Sequence, residues 1–174
     1  MTTMRRFYMN DLFRFNPINA DCLTETYNIR FYQEYMARWP DLMLLAEAPN
    51  GRPMGYIIGK AEGSADLLHG HVTALSVGPE YRRMGLAETF MRFLEEVSDK
   101  TYHGYFMDLF VRVSNQVAIC MYEKFGYSVY RRVLEYYAGD EDAYDMRKAL
   151  PRDVDKKSII PLQEPITPEQ LEWH

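Results

Sequence analysis

The sequence predicts an α/β (α+β) domain with about seven strands and about four helices, and three observations carry that reading. β-Branched and aromatic runs bounded by Gly, Pro, Asn or Asp recur along the chain. Between them lie segments with apolar residues at helical spacing, as in Leu86, Phe90, Leu94 and Val97. At 174 residues, 47% hydrophobic and 26% charged, the chain can bury one sizeable core but is short for two.

Residues 4–9 read as a first strand, Asp11-Leu12-Phe13 as a short helix, and 30–39 as a second helix stopped by Pro40. Residues 42–48 and 53–62 form strands joined by Pro49-Asn50-Gly51, a hairpin signal. Residues 71–77 form the next strand, closed by Pro79, and 85–100 an amphipathic helix. A strand over 105–113 leads to a helix over 115–125, which Gly126 ends. Strands over 127–138 and 144–150 flank the turn Gly139-Asp140-Glu141-Asp142. The domain is expected over 1–150. From 151 to 174 prolines mix with charges without periodicity, so this tail is expected to pack loosely or on a partner.

Composition removes several function classes. A net charge of −5 argues against nonspecific nucleic-acid binding. No apolar run approaches membrane-spanning length, and 1–20 lacks a secretory apolar stretch. Cys22 and Cys120 lack metal-ligand spacing, and free thiols in a chain without a leader are expected in the cytoplasm. His69 and His71 share a strand face as a metal pair would, but no third ligand is evident and no metal is expected.

The run Arg82-Arg83-Met84-Gly85-Leu86-Ala87 follows a strand and opens a helix. A helix start offers unpaired N–H groups and partial positive charge, hence an anion site. Gly85 permits close approach to the backbone, and two arginines supply cationic donors. Two arginines at that end are unfavourable to the helix dipole unless an anion is bound. The segment is neither a Walker loop nor a dinucleotide fingerprint. If Leu75, Ser76 and Val77 splay from the strand over 105–113, their free backbone groups can hold an extended, peptide-like ligand. Asn115 at the next helix start caps it or donates to such a ligand, and Tyr122 points into the cleft or packs at its rim.

This order of strand, Arg-x-x-Gly-x-Ala, helix, strand, Asn and Tyr-bearing helix resembles the GCN5-related N-acetyltransferase (GNAT) family. Leu23-Thr24-Glu25-Thr26-Tyr27, the strand 71–77, Arg112 to Ala118, Leu134-Glu135-Tyr136-Tyr137 and Lys156 to Leu162 are similar to NatB-type N-terminal acetyltransferase catalytic subunits. The resemblance implies a GNAT fold with a mixed, mostly antiparallel sheet splayed at the cofactor site. It implies acetyl transfer from acetyl-CoA, without a metal, to the α-amine of Met followed by Asp, Glu, Asn or Gln. Partners implied are a large helical-repeat auxiliary subunit, contacted by the second helix and the tail, and nascent N-termini at the ribosome.

For the site, the resemblance gives Arg82 to Ala87 the pyrophosphate, and Leu75, Ser76, Val77 and Asn115 the pantetheine arm. Tyr122 becomes the donor to the leaving thiolate. Glu25 and Tyr27 line the peptide entrance, with Glu25 also implied in the chemistry; Tyr136 and Tyr137 close it, and Thr73 joins them. His71 has two readings. As a neutral imidazole it relays the amine's proton; as a donor it bonds the acceptor oxygen that Asp, Glu, Asn and Gln share, and the sequence favours this recognition role. Two other functions remain: a GNAT acting on lysine or a small amine, and a noncatalytic acetyl-CoA-binding subunit.

Overall fold

The computed structural model describes residues 1–14, 18 and 26–171. Its strands are β1 (Thr3–Arg6), β2 (Met43–Glu47), β3 (Pro53–Glu62), β4 (His69–Val77), β5 (Phe106–Arg112), β6 (Ser128–Tyr137) and β7 (Glu141–Ala149). They form one sheet in the order β1-β2-β3-β4-β5-β7-β6. Among the described residues the α-helices are α1 (Ile29–Arg38), α2 (Leu86–Lys100) and α3 (Gln116–Lys124). The fourth expected helix, at 11–13, is a 3-10 turn, Met9–Phe13. The chain divides into two compact units, Met1–Lys60 with Val72–Val97, and Ala61–His71 with Ser98–His174.

In the first unit β1, β2 and β3 pair antiparallel, with Arg5 opposite Leu45 and Leu45 opposite Tyr56. Their inner face and α1 bury Phe7, Tyr32, Tyr35, Met43, Leu45, Tyr56 and Ile58. Asn28 caps α1 by accepting the Phe31 N–H at 2.9 Å, and Pro40 follows its end. Phe31, Met36 and Trp39 pack against the same core, so the aromatic excess of this helix serves the chain's own interior. The first strand is shorter than expected because Asp11 pulls the chain into its 3-10 turn. Its carboxylate accepts the Tyr8 N–H at 2.8 Å and a bidentate pair from Arg5 at 2.9 and 2.8 Å. Burial pushes the Asp11 carboxyl up, but Arg5 and the Tyr8 N–H outweigh it and hold the pKa below its ordinary value.

In the second unit β5, β7 and β6 pair antiparallel, with Asp108 opposite Arg147 and Val133 opposite Ala143. The last hairpin turns earlier than expected. Gly139 and Asp140 take positive φ values of 86° and 58°, and β7 begins at Glu141, opposite Tyr137. The chain after 150 runs along the outer strand β6. Leu162 and Ile166 donate backbone N–H groups to Tyr130 and Arg132 at 2.7 and 3.1 Å, and Leu134 donates to Ile166 at 2.8 Å. Leu171 packs with buried Val133 and Ala143. Backbone pairing thus covers an otherwise open sheet edge. No described helix is long and apolar enough to cross a membrane.

Candidate active site

The cradle lies in the first unit, after β4 and a 3-10 turn, Pro79–Tyr81. Arg83 and Gly85 both have left-handed backbone, with φ of 61° and 77°. Two such residues in three bend the chain sharply between β4 and α2. A Cβ built on Gly85 meets nothing within 4 Å, so the backbone there is open to a ligand. The Thr89 N–H and hydroxyl both bond the Gly85 carbonyl, at 3.1 and 3.0 Å, which fixes the first turn of α2. Arg82, Arg83 and Met84 are exposed, Leu86 is buried and Ala87 half-buried. Arg82 also donates from Nε to the Val77 carbonyl at 3.3 Å, tying the arginine to the end of β4. The start of α2 is therefore open at Gly85 and flanked by two exposed arginines.

Leu75, Ser76 and Val77 are half-buried at the end of β4. Gly55 of β3 makes room for this strand, because a Cβ there would sit 2.7 Å from the Ser76 carbonyl oxygen. Thr73 is held from two sides. The Tyr27 hydroxyl donates to its carbonyl at 3.4 Å, and the Tyr35 hydroxyl lies 3.0 Å from its Oγ1. Tyr27 itself stacks on Phe31 with ring centroids 4.1 Å apart. Glu25 and Cys22 lie outside the described residues.

In the second unit Asn115 caps α3 by accepting the Ala118 N–H at 3.2 Å, leaving its amide N–H groups as donors. Tyr122 is 9% exposed, with its ring edge-on to Phe125 and Tyr127. Among the described residues nothing hydrogen-bonds its hydroxyl, and burial pushes its pKa up to about 12.

His71 and the tyrosines of β6 meet along one face of β5, where Asp108, Phe110 and Arg112 alternate. His71 Nδ1 lies 2.7 Å from Asp108 Oδ1 and its ring 5.3 Å from Phe110. Tyr136 packs on Phe110 at 4.7 Å. Tyr137 donates its hydroxyl to the Phe110 carbonyl at 3.0 Å, and the Arg112 guanidinium lies 4.2 Å above its ring. Arg112 in turn pairs with Glu141 at 2.9 Å, and Glu141 also takes the Ser114 hydroxyl.

Consecutive strand residues normally face opposite sides, yet Tyr136 and Tyr137 both engage Phe110. A bulge allows this. Between Val133 and Tyr137 the register slips against β7, Glu135 sits at φ 50°, and its N–H bonds Asp142 at 2.8 Å.

Asp108, Phe110, Tyr35 and Arg112 were not among the expected site residues. Asp108 left a signal, a lone carboxylate within the apolar run 106–111, where a buried charge requires a partner. The bulge left none, since Glu135 is not a residue type that favours left-handed backbone. No three His, Cys, Asp or Glu side chains among the described residues are grouped to hold a metal ion.

The chain matches the acetyltransferase (GNAT) family over residues 12–127. It is 66% identical over 168 residues to N-alpha-acetyltransferase 20 of Dictyostelium discoideum, covering 97% of each chain. It is 61% identical over 173 residues to the N-terminal acetyltransferase B complex catalytic subunit of Arabidopsis thaliana, covering 99% of each. Among solved structures, Chaetomium thermophilum Naa20 in complex with a bisubstrate analogue superposes with a TM-score of 0.89 at 41% identity, over 96% of this chain and 97% of that one. With sequence and fold in agreement over nearly its full length, the chain belongs to the GNAT acetyltransferases, among the NatB catalytic subunits.

Proposed function

We propose that this chain transfers acetyl from acetyl-CoA to the α-amine of an initiator Met followed by Asp, Glu, Asn or Gln, as the catalytic subunit of a NatB-like complex in the cytoplasm. The observation that carries the reading is identity above 60% across almost the whole chain to an N-alpha-acetyltransferase and to a catalytic subunit of an N-terminal acetyltransferase B complex. The open, left-handed cradle at Arg83 and Gly85 is consistent with its cosubstrate. Arg82 to Ala87 hold the pyrophosphate, and the backbone of Leu75, Ser76 and Val77, with Asn115, the pantetheine arm. Exposed Tyr8, Met9, Phe13 and Ile29 offer an apolar contact for an auxiliary subunit. Nascent N-termini at the ribosome are the substrates.

The chemistry asks little of a base. A free α-amine has pKa about 8, so a useful minority is already neutral near pH 7. The amine adds to the thioester carbonyl, the C–S bond breaks as the tetrahedral adduct collapses, and the proton lost from the nitrogen passes to the departing thiolate through solvent. A phenol held at about 12 keeps its proton, so Tyr122 serves by donating a hydrogen bond to the developing thiolate. The Tyr27 and Tyr137 hydroxyls donate to the Thr73 and Phe110 carbonyls, and a hydroxyl oxygen can also accept from a substrate N–H group. Such contacts to backbone explain tolerance beyond the second substrate residue. Glu25, Thr73 and Tyr136 complete the peptide entrance.

Acetylation of a library of N-terminal dipeptides, with the chain alone and with its co-purified auxiliary subunit, tests this. Met-Asp, Met-Glu, Met-Asn and Met-Gln peptides are expected to react, and Ser or Ala N-termini hardly at all. Equal rates on both groups overturn the substrate assignment. Acetylation of an internal lysine in a peptide with a blocked N-terminus overturns the choice of amine.

A further inference from the structure

His71 belongs to a buried chain of charge that begins at Glu62 on β3. His69 Nε2 lies 3.6 Å from Glu62 Oε1 and 3.6 Å from Asp108 Oδ2, and Asp108 Oδ1 meets His71 Nδ1 at 2.7 Å. From β7, Arg147 adds positive charge toward Asp108, while Asp145 is engaged by Arg147 and Arg131 at 3.1 and 3.0 Å. Gly70, between the two histidines, makes the approach possible: a Cβ there would fall 2.1 Å from Ser98 Oγ and 2.5 Å from Met107 Sδ. The His69 and Asp108 side chains have no exposed surface, whereas the His71 side chain keeps 9%. Of the three, only His71 reaches outward.

Proton positions follow from the partners. The His69 Nδ1 faces the Leu67 carbonyl at 2.6 Å, and a carbonyl can only accept, so that nitrogen carries a proton. Its Nε2 faces two carboxylates. Burial works against charge on His69, but Asp108 and Glu62 outweigh it and raise its pKa. Burial likewise pushes the Asp108 carboxyl up, and His71 and His69 pull it down to about 2. An ionised carboxylate only accepts, so the proton between Asp108 and His71 sits on His71 Nδ1.

We propose that Asp108 is a positioning residue that fixes His71 as the Nδ1–H tautomer, so that Nε2 presents a lone pair and His71 accepts the proton of the substrate α-ammonium. This rests on the acetyltransferase reading above and deepens it. The alternative, a neutral His71 donating from Nε2 to the second substrate residue, requires the opposite tautomer. In the proposed step the N–H bond of the α-ammonium breaks, its electron pair stays on nitrogen for attack, and the proton bonds to Nε2. The imidazolium so formed is held by the Asp108 carboxylate, as in a Ser-His-Asp triad, and returns its proton to water at its exposed edge.

The test uses the full chain in its co-purified complex, with 15N-histidine incorporated into this chain alone. At about pH 8.5, where an unperturbed imidazole is neutral, the His71 resonances are expected to show a protonated Nδ1 and an unprotonated Nε2. In Asp108→Asn, an amide N–H donating to Nδ1 is expected to move the proton to Nε2. With a Met-Asp peptide near pH 7, where about a tenth of the α-amine is already neutral, kcat of that variant is expected to fall by about tenfold, with KM within about twofold. A wild-type Nε2–H tautomer overturns the proposal, as does an Asn variant with wild-type kcat or with a loss confined to KM. Should Asp108→Asn fail to fold, the wild-type spectrum decides alone. A wild-type enzyme inactive on every Met-initiated peptide would refute the acetyltransferase reading while leaving the tautomer measurement intact.

Discussion

At Tyr122 the phenol is enclosed by Phe125 and Tyr127, and no described residue bonds its hydroxyl. An enclosed, uncommitted donor is ready for a charge that develops only during reaction, and removing such a donor typically costs 100- to 1,000-fold in rate, as an order of magnitude. Tyr122→Phe is therefore expected to lower kcat by about that factor, with KM for acetyl-CoA and peptide nearly unchanged. Steady-state kinetics on a Met-Asp peptide check this, and an unchanged kcat removes the thiolate-donor role. The cradle makes the complementary point. Arg83 holds a left-handed conformation that costs a non-glycine residue about 1–2 kcal/mol, and such strain concentrates at ligand sites. The sequence motif pointed to Gly85, but the strain at Arg83 became visible only in the backbone.

The strands and helices of this chain were legible because their period is written in adjacent residues. Leu86, Phe90 and Leu94 face one way along α2, and the positions found in α2 match the helix expected there to within one residue. What escaped depended on partners distant in sequence. Asp108 acquires its meaning from His69 and His71, and the short β1 from the pairing of Asp11 with Arg5. The bulge in β6 is of this second kind. Glu135 stays at φ 50° because Asp142 across the hairpin binds its N–H. Glycine adopts that conformation without steric cost, so Glu135→Gly is expected to stabilise the protein by about 1 kcal/mol and to keep activity. A β-branched residue resists it, so Glu135→Val is expected to destabilise by a similar amount and to raise the peptide KM, because Tyr136 and Tyr137 lose their common face. Urea denaturation midpoints and peptide KM values measure both effects. A Val variant as stable and as tightly binding as the wild type would separate the bulge from the site.

At the scale of the whole molecule, the buried charges couple folding to pH. The folded-state pKa of His69 is raised by Asp108 and Glu62 against the opposing effect of burial. A histidine raised on folding contributes stability that is complete below its unfolded value of about 6.5. That contribution is lost as pH rises through the folded value. Asp108 is depressed, to about 2, so its contribution is present above the unfolded carboxyl value and lost as pH falls through about 2. Asp145 runs the other way. Burial and the Asp108 charge raise it, so it favours the folded state in its protonated form, and that contribution fades as pH rises through its folded value. The two carboxyls therefore oppose each other, and His69 adds a contribution that is lost only as pH rises above the unfolded imidazole value. Unfolding free energy is expected to decline as pH rises above about 6.5 in the wild type. In His69→Gln, which keeps a side-chain donor but cannot titrate, that part of the decline should vanish. Denaturant titrations across the range read this slope directly. An equal slope in the variant would mean that His69 is a neutral imidazole in the folded state, and that Asp108 is held ionised by His71 and Arg147 alone.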